Sequence, residues 1–117
     1  DAEKDNNGLY RWTQKECSVI FDKPVKDSAL YIKGTVPEVY NEPVEISIIL
    51  NGKVIEKFRS GPSEISKRYL LNLDSLKEFK NELSIVLNKS FIPNQVWNVA
   101  DLRELGVMMR KIEIIPL

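Results

Sequence analysis

The sequence predicts an all-β chain folded as an antiparallel β-sandwich, and three observations carry that prediction. Apolar residues recur at every second position in one short stretch after another, and clusters of turn-forming residues separate those stretches. No stretch shows the helical repeat over an ordinary helix length, so the crossover helices that a parallel sheet requires are missing. The chain's 117 residues suffice for one domain with a single core.

Residues 1–8 are polar and patternless and read as a linker or tail, leaving 9–117 as a single β-sandwich domain. Cys17, Val19 and Phe21 alternate along a first strand. Asp22-Lys23-Pro24 and Lys26-Asp27-Ser28 end it before a second strand in which Leu30 and Ile32 share a face. Val44, Ile46, Ile48 and Leu50 then alternate with Glu45 and Ser47, and Asn51-Gly52 follows at once. Asn-Gly between two such runs marks a type I′ hairpin, because both central positions need positive φ. The return strand is Lys53 to Arg59, and a simple register sets Ile48 opposite Ile55.

Ser60-Gly61-Pro62-Ser63 makes the next turn, and Lys67 to Leu73 the next strand. Asp74 to Asn81 allows one helical turn with Asp74 as its N-cap. Leu83, Ile85 and Leu87 alternate again, and a long loop runs from Lys89 to Gly106. In the last strand Val107 and Met109 have one parity and Ile112 and Ile114 the other, which predicts a β-bulge near Arg110 or Lys111.

Composition removes much of the catalytic repertoire. There is no histidine, which excludes a Ser-His-Asp triad, a Cys-His pair and any His-ligated metal. The single cysteine, Cys17, cannot form an internal disulfide and reads as a small buried hydrophobe. Seventeen Lys and Arg balance seventeen Asp and Glu, so no general field draws in nucleic acid. No apolar run approaches the ~20 residues that cross a bilayer, so neither nucleic acid nor membrane insertion is expected. Asp101 and Glu104 could be nominated as a glycosidase pair, but among so many acidic residues a close pair arises by chance. Asp5-Asn6-Asn7-Gly8, Asp22 and Asp27 offer oxygens without the spacing of a calcium loop. The expectation is a non-enzymatic domain with no cofactor and no metal.

An ordered set of motifs adds a resemblance. Arg11-Trp12-Thr13 precedes the first strand, Asn51-Gly52 ends the central one, and Phe91 and Pro93 follow a late one. Asp101, Arg103, Glu104, Leu105 and Gly106 then lead into a final strand containing Ile112 and Ile114. From about residue 8 to 116 this set resembles the jelly-roll, galactose-binding-like accessory domain attached to bacterial and archaeal glycosyltransferases and related polysaccharide-assembly proteins. The resemblance implies a jelly-roll sandwich, a carbohydrate partner and an attached catalytic domain that performs the chemistry. A structural domain that docks on its neighbour, or on itself, is the other reading.

Sugar rings lay their C–H faces on flat aromatic side chains, so the candidate ligand contacts are Trp97, with the loop amides Asn94, Gln95 and Asn98 beside it, and Tyr40. Arg103 joins them as a donor to hydroxyls. The same residues also admit a packing role, Trp97 by filling its own loop and Arg103 by pairing with Asp101 or Glu104. Arg11, Trp12, Asp101, Glu104 and Gly106 read as structural, with Trp12 an anchored, partly buried ring. Gly106 marks either a positive φ or a close backbone approach.

Overall fold

The computed structural model describes all residues except 1, 2, 6, 7 and 97–104, and only the backbone of 3–5, 8–12 and 94. The described residues form nine strands: β1 (Glu3–Asp5), β2 (Gly8–Trp12), β3 (Glu16–Asp22), β4 (Ser28–Thr35), β5 (Val44–Leu50), β6 (Lys53–Ser60), β7 (Glu64–Leu71), β8 (Lys80–Leu87) and β9 (Met108–Pro116). They lie in two antiparallel sheets, one ordered β1-β2-β9-β4-β7 and the other β3-β8-β5-β6. The chain is therefore a β-sandwich.

The pairing is nested. β5 pairs with β6, β4 with β7, β3 with β8 and β2 with β9, so strands progressively further apart along the chain meet around one central hairpin. Rolling up one long antiparallel hairpin gives this order, which is the jelly-roll topology.

Alternation explains how the two sheets adhere. Along β5, Val44, Ile46, Ile48 and Leu50 are buried while the residues between them are partly exposed. They meet Leu30 and Ile32 of β4 and Leu83, Ile85 and Leu87 of β8 in one continuous core. Burying each such side chain contributes about 1.5–3 kcal/mol.

The Asn51-Gly52 turn has φ of 50° and 83°, as a type I′ hairpin requires. Leu50 opposes Lys53 across it, but Ile48 opposes Glu56 and not Ile55. A β-bulge causes the difference: Ile49 faces Val54 and Ile48 faces Glu56, so Ile55 is the extra residue. The shift turns Glu56 toward the seam between the edge strands β6 and β7. There its carboxylate accepts from the Tyr69 hydroxyl at 2.6 Å and from Lys67 at 3.4 Å. The Lys67 ammonium also sits 4.2 Å from the centre of the Phe58 ring, so a polar cluster closes the open edge of the sandwich.

The bulge expected in the last strand is present. Ile112 opposes Ile32 and Lys111 opposes Lys33, while Met109 opposes Gly34, which leaves Arg110 as the inserted residue. Both apolar sets thereby reach the core.

Three local expectations change. Glu3–Asp5, read as part of a patternless tail, pairs with Gly8–Tyr10 as an edge strand, which needs backbone partners and no alternating apolar face. The turn after β7 is a 3-10 turn over Leu73–Ser75 capped at Asn72, without a side-chain cap from Asp74. Cys17 is half-buried against the core, and burial raises its thiol pKa above the ordinary value. Asn81 replaces a cap as the local anchor. It is fully buried, its carbonyl oxygen accepts from the Lys77 amide at 2.7 Å and from the Asn51 side chain at 2.9 Å, and it ties the turn to the hairpin.

Candidate functional site

One end of the sandwich gathers the connection from β4 to β5, the turn from β6 to β7, the entry to β9 and a single helical turn, α1 (Pro93–Val96). Prolines at 37, 43, 62 and 93 break these segments out of the sheets. Between them lies an open depression of about 850 Å³, walled by Val36 to Val39, by Pro62 to Glu64, and by Val96 and Met108. The Val36 amide donates to the Ser63 carbonyl at 2.8 Å and locks two of these walls together. Pro37 is buried, while Glu38, Ser63 and Glu64 are exposed at the rim. An apolar concavity with a few polar groups at its edge is the form in which small ligands are usually held.

Behind this end, the two ends of the motif set meet. The Thr13 amide donates to the Val107 carbonyl at 2.9 Å, the Gly106 amide donates to the Thr13 carbonyl at 2.7 Å, and the Val107 amide donates to the Thr13 hydroxyl at 3.1 Å. Phe91 and Leu105 exchange two backbone hydrogen bonds of 2.8 and 2.7 Å and close the base of the long loop. Gly106 serves a close approach and not a positive φ: an added Cβ would collide with the Leu87 side chain and come 2.6 Å from the Gln14 carbonyl.

Tyr40 belongs to this frame. The sequence places it among ligand contacts, but its ring is buried edge-on to Phe91, with centroids 5.7 Å apart. Its hydroxyl donates to the Gly106 carbonyl at 2.8 Å, and burial pushes its pKa up to about 12. The ring has no free face for a sugar, so Tyr40 anchors the loop.

Gln95 is exposed on α1, next to the depression's wall residue Val96, and the backbone of Asn94 lies in the same turn. Trp97, Asn98, Asp101, Arg103 and Glu104 lie outside the described residues. Arg11 and Trp12 occupy β2, where their backbones oppose Met109 and Met108, and their side chains are outside the described set. Sequence reasoning missed the walls at Val36 to Val39 and Pro62 to Glu64. Their one signal is a pair of apolar residues, Val36 and Val39, in a turn segment without alternation.

Among the described residues no three carboxylate or thiol groups converge as a metal site. Asp22 pairs with Lys80 at 2.5 Å, and the Asp27 carboxylate accepts from the Leu73 amide at 2.8 Å, so both are engaged in holding the fold.

No protein-family model and no curated protein matches the chain. Solved structures do. The CBM36-1 domain of a multidomain xylanase from the hindgut metagenome of Trinervitermes trinervoides is 13% identical, with a TM-score of 0.50 over 100% of this chain and 86% of its own. A family GH115 4-O-methyl-α-glucuronidase with specificity for decorated arabinogalactans is 10% identical, with a TM-score of 0.57 over 93% of this chain. This chain spans 14% of that enzyme's length. The likeness is one of fold, and it agrees with the two-sheet sandwich.

Proposed function

We propose that the chain is a non-catalytic carbohydrate-binding module that holds a glycan for an attached glycan-processing or glycan-assembly enzyme. The observation that carries this reading is the depression of about 850 Å³ at the loop end, apolar within and polar at its rim. It is bordered by the helical turn that carries Asn94 and Gln95 and leads directly into Trp97. In this reading Trp97 supplies the flat apolar face for a pyranose. Asn94, Gln95 and Asn98 hydrogen-bond its hydroxyls, and Arg103 adds a cationic donor.

The fold neighbours add support. One is a carbohydrate-binding domain of a xylanase, and the other is a glucuronidase with specificity for decorated arabinogalactans in which this fold corresponds to a small part of the chain. An attached catalytic domain, such as a glycosyltransferase, is the partner that the motif set suggests.

A glycan array tests the proposal. The chain is expected to retain at least one class of glycan, and Trp97→Ala is expected to lose that retention while keeping the same thermal unfolding transition. Retention unchanged in Trp97→Ala would move the site elsewhere, and no retention of any glycan would overturn the reading.

A further inference from the structure

The outer surface of the five-stranded sheet carries a second concavity, remote in character from the loop end. It is a shallow depression of about 330 Å³ centred on Tyr31 and Lys33 of β4, with Ser66 and Arg68 on one side and Lys111 and Ile115 on the other. Strand parity places these side chains outward, because Leu30, Ile32 and Ile65 between them point into the core. The register then fixes their neighbours. Tyr31 stands between Arg68 and Glu113, and Lys33 stands between Ser66 and Lys111.

The Lys33–Lys111 pair is unfavourable on its own. Like charges directly opposite one another in an antiparallel pair destabilise the sheet, and nothing about an exposed face requires lysine at both positions. Glu113 neutralises Lys111, at 2.8 Å, but no carboxylate among the described residues pairs with Lys33. The next acidic residue on that side, Glu64, lies opposite Thr35, two pairs further on.

Arg68 completes the arrangement. Its guanidinium lies 5.8 Å from the Tyr31 ring centre, and its Nε donates to the Tyr31 hydroxyl at 3.2 Å. One of five donors is thus engaged in holding the ring, and on this exposed side chain the two terminal nitrogens have the fork geometry that suits a carboxylate or sulfate. An anion seated between Lys33 and Arg68, beside the Lys111–Glu113 pair, would give Lys33 the counter-charge it lacks and meet charge-assisted donors. The half-exposed Tyr31 ring, with Arg68 over it, lies beside them.

We propose that this sheet face is a second binding site, one that takes an anionic polysaccharide through its carboxylate or sulfate groups. The ligand class rests on the carbohydrate reading above; the location does not, since it follows from the charge pattern of β4, β7 and β9.

Affinity electrophoresis separates the two ideas. The chain is run in gels containing polygalacturonate, dextran sulfate or neutral dextran, and single-stranded DNA is tested by mobility shift. Retardation by polygalacturonate, by dextran sulfate or by both, reduced by added salt, is the expected result, and the gel that retards identifies the anionic group. The double variant Lys33→Gln, Arg68→Gln is expected to weaken that retardation by at least about tenfold, since it removes two charge-assisted contacts and one alone supplies roughly that factor. A second readout guards against misfolding. Lys33→Gln alone is expected to leave the melting temperature of the free protein unchanged or raised, because it removes a like-charge pair. Equal migration in anionic and neutral gels would overturn this site while leaving the loop-end reading intact. Equal binding of single-stranded DNA would overturn the saccharide assignment.

Discussion

The Tyr40 hydroxyl donates to the Gly106 carbonyl at 2.8 Å, across 66 positions of sequence, and so joins the connection after β4 to the entry of the last strand. Both groups are buried, so the bond helps to hold this end of the sandwich closed. Removing it leaves a carbonyl in a dry site without its donor, and a stranded acceptor of this kind costs about 1–3 kcal/mol. Tyr40→Phe keeps the ring against Phe91, so urea denaturation of that variant should show a loss of this size with the fold retained. A variant as stable as the parent would show that the hydroxyl finds no better partner in the folded chain than in water.

Alkaline pH should act on the same bond. Tyr40 keeps its proton in the folded chain up to about pH 12, while an unfolded tyrosine loses it near the ordinary value of 10. Because the folded pKa is the higher one, the stability contribution is fully present below pH 10 and is lost as pH rises through about 12. Tyr69 acts in the same sense, since burial and its bond to Glu56 both hold its proton on. The urea midpoint should therefore fall steadily above about pH 10, and it should fall less steeply in Tyr40→Phe. A flat midpoint across that range would contradict the burial of these hydroxyls.

Gly106 presents a steric limit rather than a conformational one. A Cβ there would come 2.6 Å from the Gln14 carbonyl and 2.7 Å from the Thr13 hydroxyl, and a main-chain carbonyl cannot swing aside. Gly106→Ala should destabilise the domain by about 1–3 kcal/mol, the usual cost of forcing extra volume into a packed site. The melting temperature provides the check, and an unshifted value would mean that the β2 and β9 strands part more easily than their hydrogen bonds suggest.

Much of the fold was legible because strand parity is a strict constraint. The alternation of Val44 to Leu50, the Asn51-Gly52 turn and the parity switch before Ile112 each have one geometric solution, and the structure adopts all three. The bulge at Ile55 was not legible, since Val54, Ile55 and Phe58 admit either register and the choice is made by Glu56 meeting Tyr69 and Lys67 from another strand. Edge strand β1 left no mark for a related reason: backbone pairing with β2 requires no alternating apolar sequence.

The candidate site was less legible than the frame behind it. The motif residues Thr13, Leu105 and Gly106 do converge, but as a structural clasp. Tyr40 looked like a platform because aromatic residues in turn segments are read as exposed, whereas long-range closure of the loop buries it. The walls at Val36 to Val39 and Pro62 to Glu64 come from connections that are distant in sequence, and only the nested pairing of the strands sets them side by side.

Carbohydrate binding at the loop end is tested most directly by titrating the isotopically labelled chain with oligosaccharides and following its amide spectrum. Binding there is expected to shift the walls of the depression at Val36, Val39, Ser63, Glu64 and Val96, the adjoining Gln95 and the indole resonance of Trp97, and all of these shifts are expected to be lost in Trp97→Ala. A spectrum unmoved by every neutral and acidic oligosaccharide, or shifts that bypass these walls, would contradict it.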